Sequence, residues 1–548
     1  MVGSTRTARP ARAHASRKPS VIRFIRNEGG SLVVFGLFIF VLMLMVGGLS
    51  VDLMRYEAER SRIQNTADRA SLAAASMRQE LEPEAVVADY FARAGLSAYL
   101  DDTIVDEGLN YRNVRALTTT NVHTFFMPLM GIDALTSSGA GAAEERITNV
   151  EIALVLDISG SMQNTPSRIT NLKSAADEFV RKILEDDDDN RISISLVPYN
   201  GQVNIGPDLT QVFNITHQHS TPNVYCVDLP PSVYDALVMS SSTPMEQTAW
   251  ADSFSSVSTS NSYQSPQAPN TANVWCPAVA NNYVRPLSNN ISALRSQIAS
   301  LQAIGATSID AGLRWGLTLI DPASRGAVSQ LVSLGAVPAH FAGRPFDWDD
   351  PEVLKVVVLM TDGEHFAEER INTDYKSGLS PIWRSSGDNR YSIYHASWSG
   401  SSKYWVPHRN DGYGEWRSSA WNSGSGAYQM TWVEVWQRLR VKYVAWQLYA
   451  RALGTSSSTR TSVYNTWVGN FRSLANISDM NARLNQLCTL AKAQNVVIFG
   501  IAFEAPQNGA DVIRACASAN RFYDVQGLQI NTAFRQIRAQ ISSLRLTQ

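Results

Sequence analysis

The chain has 548 residues, with 47 Lys and Arg against 49 Asp and Glu and a formal net charge of −2. Hydrophobic residues make up 44% and charged residues 18%, which excludes a disordered polyelectrolyte, and the near-neutral balance argues against a dedicated nucleic-acid binder. Four cysteines exclude a disulfide-dense miniprotein, and at roughly 100–200 residues per domain the length predicts two to four domains.

The first element is a basic tail followed by an uncharged segment. Residues 1–28 carry seven Lys and Arg and one Glu, a balance of +6, so the rest of the chain carries −8. Residues 29–51 then read GGSLVVFGLFIFVLMLMVGGLSV. At about 1.5 Å per residue this run can cross a hydrocarbon core about 30 Å thick. It predicts a retained transmembrane helix, with a cleaved signal peptide and a buried soluble helix as the alternatives.

The flanks of this segment predict its orientation. The flank before the segment is basic, with one Glu, whereas the flank after it mixes both signs, with Asp52, Arg55, Glu57, Glu59, Arg60 and Arg62. Because basic flanks stay on the cytoplasmic side, residues 1–28 are expected in the cytoplasm and everything after Asp52 on the other side of the membrane.

Residues 53–82 contain neither Gly nor Pro, which favours a helix that continues the membrane segment. Its apolar residues recur at alternating spacings of four and three: Ile63, Ala67, Ala70, Ala74, Met77 and Leu81. Such a stripe predicts either a packing surface for a partner helix or a helix folded onto its own domain. We expect Pro83 to end or kink the helix. Residues 100–148 end in SSGAGAAEE, so 52–148 is predicted to be a helical stalk and a linker.

Continuous apolar runs after residue 148 predict buried parallel strands alternating with amphipathic helices, an α/β fold. The strands are expected at Glu151–Asp157, Arg191–Pro198, Lys355–Thr361 and Asn495–Phe503, and helices at Thr170–Leu184 and Asn531–Leu544. These elements predict a doubly wound, mostly parallel sheet in a domain spanning 149–548.

Oxygen-bearing side chains follow two of these strands. Asp157, Ser159 and Ser161 form D-x-S-x-S directly after the first strand, with Gly160 allowing a tight turn. Alone this pattern is weak, since it commonly caps a helix. Thr307 precedes another predicted helix, and Asp362 ends a second buried strand. Hard oxygen ligands of this kind suit Mg²⁺, Mn²⁺ or Ca²⁺ rather than zinc.

These three segments resemble the von Willebrand factor A domain and its metal-ion-dependent adhesion site. The family pattern is D-x-S-x-S, then a Thr in a glycine loop, then an Asp at a later strand end. It is matched in order by Asp157, Ser159, Ser161, Thr307 and Asp362, with Ala306 where the family often has a second Gly. The resemblance implies a Mg²⁺ or Mn²⁺ ion with an open coordination position, which an acidic residue of a protein partner often fills.

Two insertions interrupt the predicted domain, at about 201–289 and 365–475. The second holds nine of the thirteen tryptophans and begins beside Asp362, so it is expected to overhang the metal. Among its tryptophans are Trp383, Trp398, Trp405, Trp416 and Trp421. Exposed aromatic rings there predict a recognition surface for glycan or protein, and the alternative is that the rings fasten a long loop onto its own domain.

The cysteines allow three pairings, of which proximity in the chain favours Cys226–Cys276 and Cys488–Cys516. In an oxidising compartment both disulfides are expected to persist. His365 lies close to Asp362 and either tunes the site or begins the loop. The sequence contains none of the common zinc-protease, phosphate-loop, hydrolase or dinucleotide motifs, so no enzymatic function is expected.

The N-terminal arrangement is similar to the TadG-type pilus-assembly family, on the segments FIRNEGGS from Phe24, VDLMRY from Val51 and RIQNTADRASLAA from Arg62. Residues 196–204, LVPYNGQVN, and the placement of Cys488 and Cys516 also resemble it. The resemblance implies a single-pass protein of a bacterial inner membrane, its C-terminal domain in the periplasm or at the cell surface, serving a tight-adherence (Flp-type) pilus. Two other hypotheses are a metal-dependent regulatory subunit of an ATP-driven remodelling complex and a secreted glycan-binding or hydrolase module.

Overall fold

The computed structural model describes residues 29–76, 81–107, 111–146, 149–185, 187, 189–424 and 426–547. The predicted cytoplasmic tail 1–28 and Met77 of the apolar stripe lie outside the described residues. The chain divides into two compact units, Met1–Arg146 and Ile147–Gln548.

The first unit combines helices with one antiparallel sheet. Its elements are α1 (Gly29–Ala74), α2 (Pro83–Ala94), β1 (Leu100–Glu107), β2 (Tyr111–His123) and β3 (Ala134–Arg146), with 3₁₀ turns at Ser97–Tyr99 and Met127–Met130. The sheet has the order β1-β2-β3, and both strand pairs are antiparallel.

Helix α1 has two parts with different surroundings. Its first part exposes apolar side chains, and Ser31–Ala74 is the one helix of the described chain long and apolar enough to cross a membrane by length and composition. Further along, Ile63, Ala67, Ala70 and Ala74 are buried in a core shared with α2 and β2. This part of the stripe therefore packs onto its own unit. The helix ends at Ala74, and Pro83 begins α2, where a missing N–H costs nothing.

The predicted linker at 100–148 is wrong, because these residues form the three-stranded sheet. Strand β3 pairs with β2 along its whole length, from Ala134 opposite His123 to Arg146 opposite Tyr111. Its small residues serve close packing: a β-carbon on Gly141 would lie 2.5 Å from the carbonyl carbon of Ala67. Glycine lets β3 lie directly against the backbone of α1.

The second unit is a mixed α/β structure with several sheets. Its strands are β4 (Asn149–Asp157), β5 (Ile192–Tyr199), β6 (Ile215–Thr216), β7 (Val227–Asp228), β8 (Met245–Gln247), β9 (Arg285–Ser288), β10 (Val353–Thr361), β11 (Glu368–Ile371), β12 (Leu379–Ser385), β13 (Tyr391–Tyr394), β14 (Tyr404–Val406), β15 (Glu415–Arg417), β16 (Ala427–Thr431), β17 (Arg472–Ala475), β18 (Val497–Phe503) and β19 (Phe522–Val525).

The helices of the second unit follow in the same order. They are α3 (Ser161–Asn164), α4 (Pro166–Leu184), α5 (Gly206–Val212), α6 (Ile291–Ser300), α7 (Ile309–Thr318), α8 (Arg325–Ser333), α9 (Trp432–Arg438), α10 (Val441–Tyr443), a π-helical segment (Val444–Ala450), α11 (Arg451–Leu453), α12 (Ser457–Phe471), α13 (Ile477–Ala493), α14 (Gln507–Cys516) and α15 (Gln529–Thr547).

The largest sheet has the strand order β19-β18-β10-β4-β5-β9. All neighbours are parallel except β5 and β9. The four strands and two helices expected from sequence are all present, each within a few residues of its predicted bounds. Strand β9 comes from the predicted first insertion and forms one edge of the sheet.

Both faces of this sheet are covered by helices. Along β4, alternate residues enter two separate cores: Ile152 and Leu154 pack with α4, α6 and α15, whereas Ala153 and Val155 pack with α7, α13 and α14. Because successive side chains of a strand point to opposite faces, the two cores lie on opposite sides of the sheet. Burial on both sides explains why the central strands are apolar throughout.

The second insertion folds around a separate core, to which the first insertion contributes Ala249 and Ala251. Its strands form a five-stranded sheet of order β15-β14-β13-β12-β16 and a separate pair, β11 with β17. Helix α9 and the helical stretch 441–471 pack against this sheet through buried aromatic side chains. The first insertion is mostly irregular, with a small sheet of order β6-β8-β7.

Candidate metal-binding site

The first segment of the predicted site lies just past β4. Asp157 is the last residue of the strand and is fully buried, and its Oδ1 accepts the backbone N–H of Ser159 at 2.8 Å. The N–H of Gly160 donates to the carbonyl oxygen of Gly305 at 2.9 Å. A β-carbon on Gly160 would lie 3.1 Å from that oxygen, so glycine lets the segment press against the loop that carries Thr307.

Hydroxyl groups connect this segment to Asp362. The Oγ atoms of Ser159 and Ser161 are 2.9 Å apart, and Ser161 donates its hydroxyl proton to Oδ1 of Asp362 at 2.7 Å. Because Ser161 has only one hydroxyl proton, Ser159 is the donor between the two serines. Asp362 directly follows β10, which is the parallel neighbour of β4. Side chains at the carboxyl ends of neighbouring strands thus form one continuous cluster.

Thr307 reaches the same place from a third segment. A β-carbon built on Gly363 would lie 3.7 Å from Oγ of Ser161 and 4.0 Å from Oγ1 of Thr307, so both hydroxyls face this one point. The Thr307 loop is held in place by Ser308, whose hydroxyl donates to the carbonyl oxygen of Gly201 at 2.8 Å. All five residues predicted from the sequence therefore lie together. Hydrogen bonds link four of them in the order Asp157, Ser159, Ser161 and Asp362, and Thr307 lies beside Ser161.

The two carboxyl groups are desolvated in an unequal way. Oδ2 of Asp157 accepts the Thr361 hydroxyl at 2.6 Å, and the Tyr199 hydroxyl, which donates to the carbonyl oxygen of Met360 at 2.9 Å, lies 3.5 Å away. Burial, reinforced by the negative charge of Asp362, raises the pKa of Asp157 to about 7. Burial also raises the pKa of Asp362, against the opposing hydrogen bond from Ser161 and the charge of Arg168.

Arg168 is a member of the site that the sequence reasoning missed. It lies in the first turn of α4, and its NH1 is 3.0 Å from Oδ2 of Asp362 while its Nε is 2.7 Å from Oε2 of Glu504. The guanidinium thus donates to Oδ2 of Asp362 and connects this carboxyl group to Glu504, the residue after β18. No motif of the metal-site pattern includes this arginine, and its position two residues into an amphipathic helix is the only local signal.

His365 is buried and has a positional role. Its Nε2 accepts the backbone N–H of Asp310 at 3.0 Å, so its Nδ1 carries the proton and donates to Oδ1 of Asn481 at 2.8 Å. The ring therefore joins the start of α7 to α13. Of the two alternatives for this residue, a role at the beginning of the loop agrees with these contacts, which are made to Asp310 and Asn481.

Aromatic side chains beside the site come from both insertions. Phe366 donates its backbone N–H to the carbonyl oxygen of Thr307 at 2.8 Å, and its ring lies 5.2 Å from Phe254 and 6.2 Å from Trp275. The rings of Phe254 and Phe366 remain partly exposed. An apolar surface therefore adjoins the hydroxyl and carboxyl cluster, and no periodic pattern in the sequence indicates it.

The tryptophans of the second insertion divide between core and surface. Trp405, Trp432 and Trp436 are buried in its own core. Trp398 and Trp416 are half-buried and stack on each other with ring centroids 4.3 Å apart. Of the two alternatives for the tryptophans, a recognition surface is excluded for these three buried rings, which stabilise the insertion itself.

Chemically the cluster offers two carboxyl groups and three hydroxyls. Among the described residues, no group of three or more His, Cys, Asp or Glu side chains converges as a metal ligand set, so an ion at this site depends on the serine and threonine oxygens. Hydroxyl and carboxylate oxygens fit a hard divalent cation, whose charge would offset the repulsion between Asp157 and Asp362. The donor set therefore fits Mg²⁺ or Mn²⁺.

The cysteines form the two disulfides that chain proximity favoured, Cys226–Cys276 and Cys488–Cys516. The first joins two parts of the first insertion, and the second joins α13 to α14. Both lie in the second unit.

Residues 29–77 match the Tad family, Flp pilus-assembly TadE/G-like. The family resemblance of the N-terminal segment is thereby confirmed over these residues. No curated protein matches the chain.

Several solved structures of pilus proteins share a low similarity. The vWF domain of the type V pili tip protein Mfa5 from Porphyromonas gingivalis is 12% identical with a TM-score of 0.30, over 72% of this chain and 96% of that one. The adhesive tip pilin GBS104 from Group B Streptococcus agalactiae is 12% identical with a TM-score of 0.31, over 72% and 99%. The pilus adhesin SpaC from Lactobacillus rhamnosus GG is 10% identical with a TM-score of 0.28, over 80% and 33%. TM-scores this low assign no fold by themselves.

Proposed function

We propose, from the Tad-family match of residues 29–77, that this chain is a membrane-anchored assembly or adhesion component of a Flp-type pilus system. Residues 29–51 would cross the inner membrane with the basic tail in the cytoplasm, and the rest would face the periplasm or the cell surface. The second unit would be a von Willebrand A-type domain, with a doubly wound sheet, that binds a protein partner through a divalent metal. The role is binding and not catalysis.

The single observation that supports this most is the convergence of Asp157, Ser159, Ser161, Thr307 and Asp362 on one edge of a largely parallel sheet. Three segments far apart in sequence supply them. Open α/β sheets bind their ligands at this edge, outside the carboxyl ends of the strands. Two buried carboxyl groups beside three hydroxyls form a costly arrangement unless a cation compensates the charge.

A bound Mg²⁺ would be held by the hydroxyls of Ser159, Ser161 and Thr307 and by the carboxyl groups of Asp157 and Asp362, directly or through water. With only two carboxylates it would remain electrophilic, which is the chemistry that attracts an acidic side chain of a partner. Mn²⁺ and Ca²⁺ have similar ligand preferences and are alternatives.

The surface beside the site favours a protein as that partner. Phe254 and Phe366 present a partly exposed aromatic pair next to Thr307. Aromatic residues are enriched at the cores of protein interfaces. The partner would therefore carry an acidic residue next to an apolar one.

A glycan contact by the second insertion has weaker support. On its five-stranded sheet Trp383, Tyr404 and Tyr394 form a row of rings with centroid separations of 6.3 and 5.1 Å. The row is only partly covered, and such rings could stack on sugar faces.

The test is a pull-down from bacterial envelope extracts with the full-length protein in detergent, with and without chelator. We expect an envelope protein to be retained by the wild type in Mg²⁺ and lost with EDTA. Asp157→Ala should lose the same protein in Mg²⁺. The matched control is Gln163→Ala, which changes an exposed residue of α3, six residues after Asp157 at the end of β4, and should retain the partner.

Retention of the same partner by Asp157→Ala in Mg²⁺, or by the wild type in EDTA, would refute the metal-dependent binding. Near-ultraviolet circular dichroism of each variant separates lost binding from lost folding. Calorimetric titration with MgCl₂ checks the metal directly, since wild type and Gln163→Ala should bind the ion and Asp157→Ala should not.

A further inference from the structure

The loop between β2 and β3 exposes an unusual number of large apolar side chains. Residues 124–132 read TFFMPLMGI. Leu129 is 76% exposed and Phe125 70% exposed, and Phe126, Met130 and Ile132 are also exposed. Contiguous apolar surface of this kind on a folded unit commonly marks a binding site for protein or membrane.

This loop is fixed to α1 by a buried carboxylate. Asp52 accepts the backbone N–H of Phe125 at 2.9 Å on one oxygen, and those of Phe126 and Met127 at 2.7 and 2.9 Å on the other. Asp52 itself is buried beneath the loop. The carboxylate accepts all three hydrogen bonds, and charge-assisted bonds from backbone amides are strong, so the loop is held at a defined height along the helix.

That height coincides with the end of the uncharged segment. The ring of Phe126 covers Gly48, where a β-carbon would clash with it, and Gly48 lies one helical turn before Asp52, about 6 Å along the axis. The guanidinium of Arg55 lies 4.1 Å from the ring centroid of Phe125, on the charged side of Asp52. The loop therefore adjoins the position where the exposed apolar surface of α1 gives way to charged residues.

From this geometry we propose that loop 125–132 inserts into the outer interface of the bilayer as a second membrane contact beside α1. The occupant of the exposed apolar patch is lipid, because the patch is continuous with the lipid-facing surface of residues 31–51. This inference rests on the proposed membrane anchoring of α1. Phe, Leu and Met would enter the boundary between headgroups and acyl chains, roughly 5–10 Å deep, and Arg55 would lie at the level of the lipid phosphates.

The consequence is a fixed depth for the helix. A single apolar helix can slide and tilt in a bilayer, whereas a second contact rigidly bonded at Asp52 holds the exit point of α1 at the interface. Asp52 would be the positioning residue, since it connects the helix to the loop through the amides of Phe125, Phe126 and Met127.

The experiment measures the depth of single nitroxide labels in full-length protein reconstituted into phosphatidylethanolamine–phosphatidylglycerol vesicles. All four native cysteines are paired, so an introduced cysteine is the one free thiol. Leu129→Cys reports the loop, Leu42→Cys reports the membrane segment and Ala88→Cys, on the exposed face of α2, is the matched aqueous control. Each label is compared for collision with oxygen, which concentrates in lipid, and with a water-soluble nickel chelate.

We expect the oxygen-to-nickel accessibility ratio at Leu129→Cys to be several-fold higher than at Ala88→Cys and close to that at Leu42→Cys. A lipid value at Leu42→Cys with an aqueous value at Leu129→Cys would overturn the loop inference and leave the anchor intact. Low accessibility of Leu129→Cys to both reagents would also overturn it, since a protein partner would then cover the loop. An aqueous value at Leu42→Cys would instead refute the proposed membrane anchor.

Discussion

Replacing Asp157 by Asn should make the cation-free protein more stable. The side chain is fully buried, and its charge is opposed by the neighbouring Asp362. Asn is nearly isosteric, and its carbonyl oxygen can still accept the Ser159 N–H that now reaches Oδ1 at 2.8 Å. The substitution therefore removes the charge while leaving the turn after β4 in place.

The magnitude follows from the pKa of Asp157, which rises from 3.8 to about 7 in the folded protein. Keeping this group ionised at pH 8 costs the folded state about 4 kcal/mol relative to the unfolded chain, at about 1.4 kcal/mol per pKa unit. Asn loses part of the bond from the Thr361 hydroxyl, at about 1 kcal/mol. The expected net gain in unfolding free energy is about 3 kcal/mol.

The sign of the pH dependence is also fixed. A carboxyl group with a raised folded-state pKa stabilises the protein below pH 3.8, and that contribution is lost as the pH rises through about 7. The advantage of Asp157→Asn should therefore be small near pH 4 and complete above pH 7. Added Mg²⁺ should stabilise only the wild type, by about 2.7 kcal/mol at a hundred times its dissociation constant.

Urea unfolding followed by tryptophan fluorescence provides the assay, because all thirteen tryptophans lie in the second unit. It is run in EDTA and in MgCl₂ at several pH values. Asp252→Asn is the matched control: this carboxylate is equally buried but accepts the backbone N–H of Ser255 and of Asn270, both at 2.8 Å, so its substitution should bring no gain. An Asp157→Asn protein no more stable than wild type in EDTA at pH 8 would refute the reasoning.

Three further predictions concern stability. Gly141→Ala should destabilise the first unit by roughly 1–3 kcal/mol, because its β-carbon would meet the backbone of Ala67; faster hydrogen exchange in β2 and β3 would show this, and unchanged exchange would contradict it. Lys355→Met should cost about 3–5 kcal/mol in urea unfolding by leaving Glu151 buried and unpaired, and adding Glu151→Leu should restore most of the loss. Burial lowers the pKa of His395 to about 4, so this histidine stays neutral in the folded protein while it is protonated in the unfolded chain as the pH falls from 7 to 5. Over that range the unfolding free energy of the wild type should fall by about 2 kcal/mol more than that of His395→Gln, and equal losses would exclude the effect.

The central strands could be predicted because their environment is simple. Residues of β4 and β10 are buried on both faces of the sheet, so burial alone dictates an unbroken apolar run. The edge strand β9 has no such signal: it is four residues long, contains Pro286 and pairs on one side only. Its place depends on β5, a contact that local sequence does not encode.

The error at 134–146 has a physical reason. Runs of Gly, Ala and Ser predict flexible chain when nothing packs on them, but the same residues allow close approach of a neighbouring backbone. Here Gly141 lies against Ala67 of α1, and Ser71 donates its hydroxyl to the carbonyl oxygen of Gly141 at 3.0 Å. The matching small residues of the α1 stripe contained this information, since Ala67 and Ala70 need a partner surface without bulky side chains.

The tryptophan-rich insertion could not be interpreted from composition alone. Its aromatic residues occur without the period of a helix or a strand, which left core and surface equally open. In the fold the residues of α9 and of the helical stretch 441–471 cluster with β12 and β13, so most rings pack against other rings of the same insertion. Tertiary contacts within 365–475 and with the first insertion, and not proximity to Asp362, decide their burial.

The negative charges of Asp157 and Asp362 are compensated to different extents, and this difference determines which carboxyl group contributes more to cation binding. Asp362 has Ser161 on one oxygen and the guanidinium of Arg168 on the other, so its charge is largely offset. Asp157 has only an amide and hydroxyl groups as donors, which stabilise a buried carboxylate less than a cation does. Burial and the negative charge of Asp362 raise the pKa of Asp157, and these donors do not offset that effect, so the uncompensated charge at this edge of the sheet is that of Asp157. A divalent ion that binds here therefore gains most from Asp157. Substitution of Asp157 should abolish cation binding with little effect on the fold, whereas substitution of Asp362 would also remove an ion pair and leave Arg168 paired with Glu504 alone.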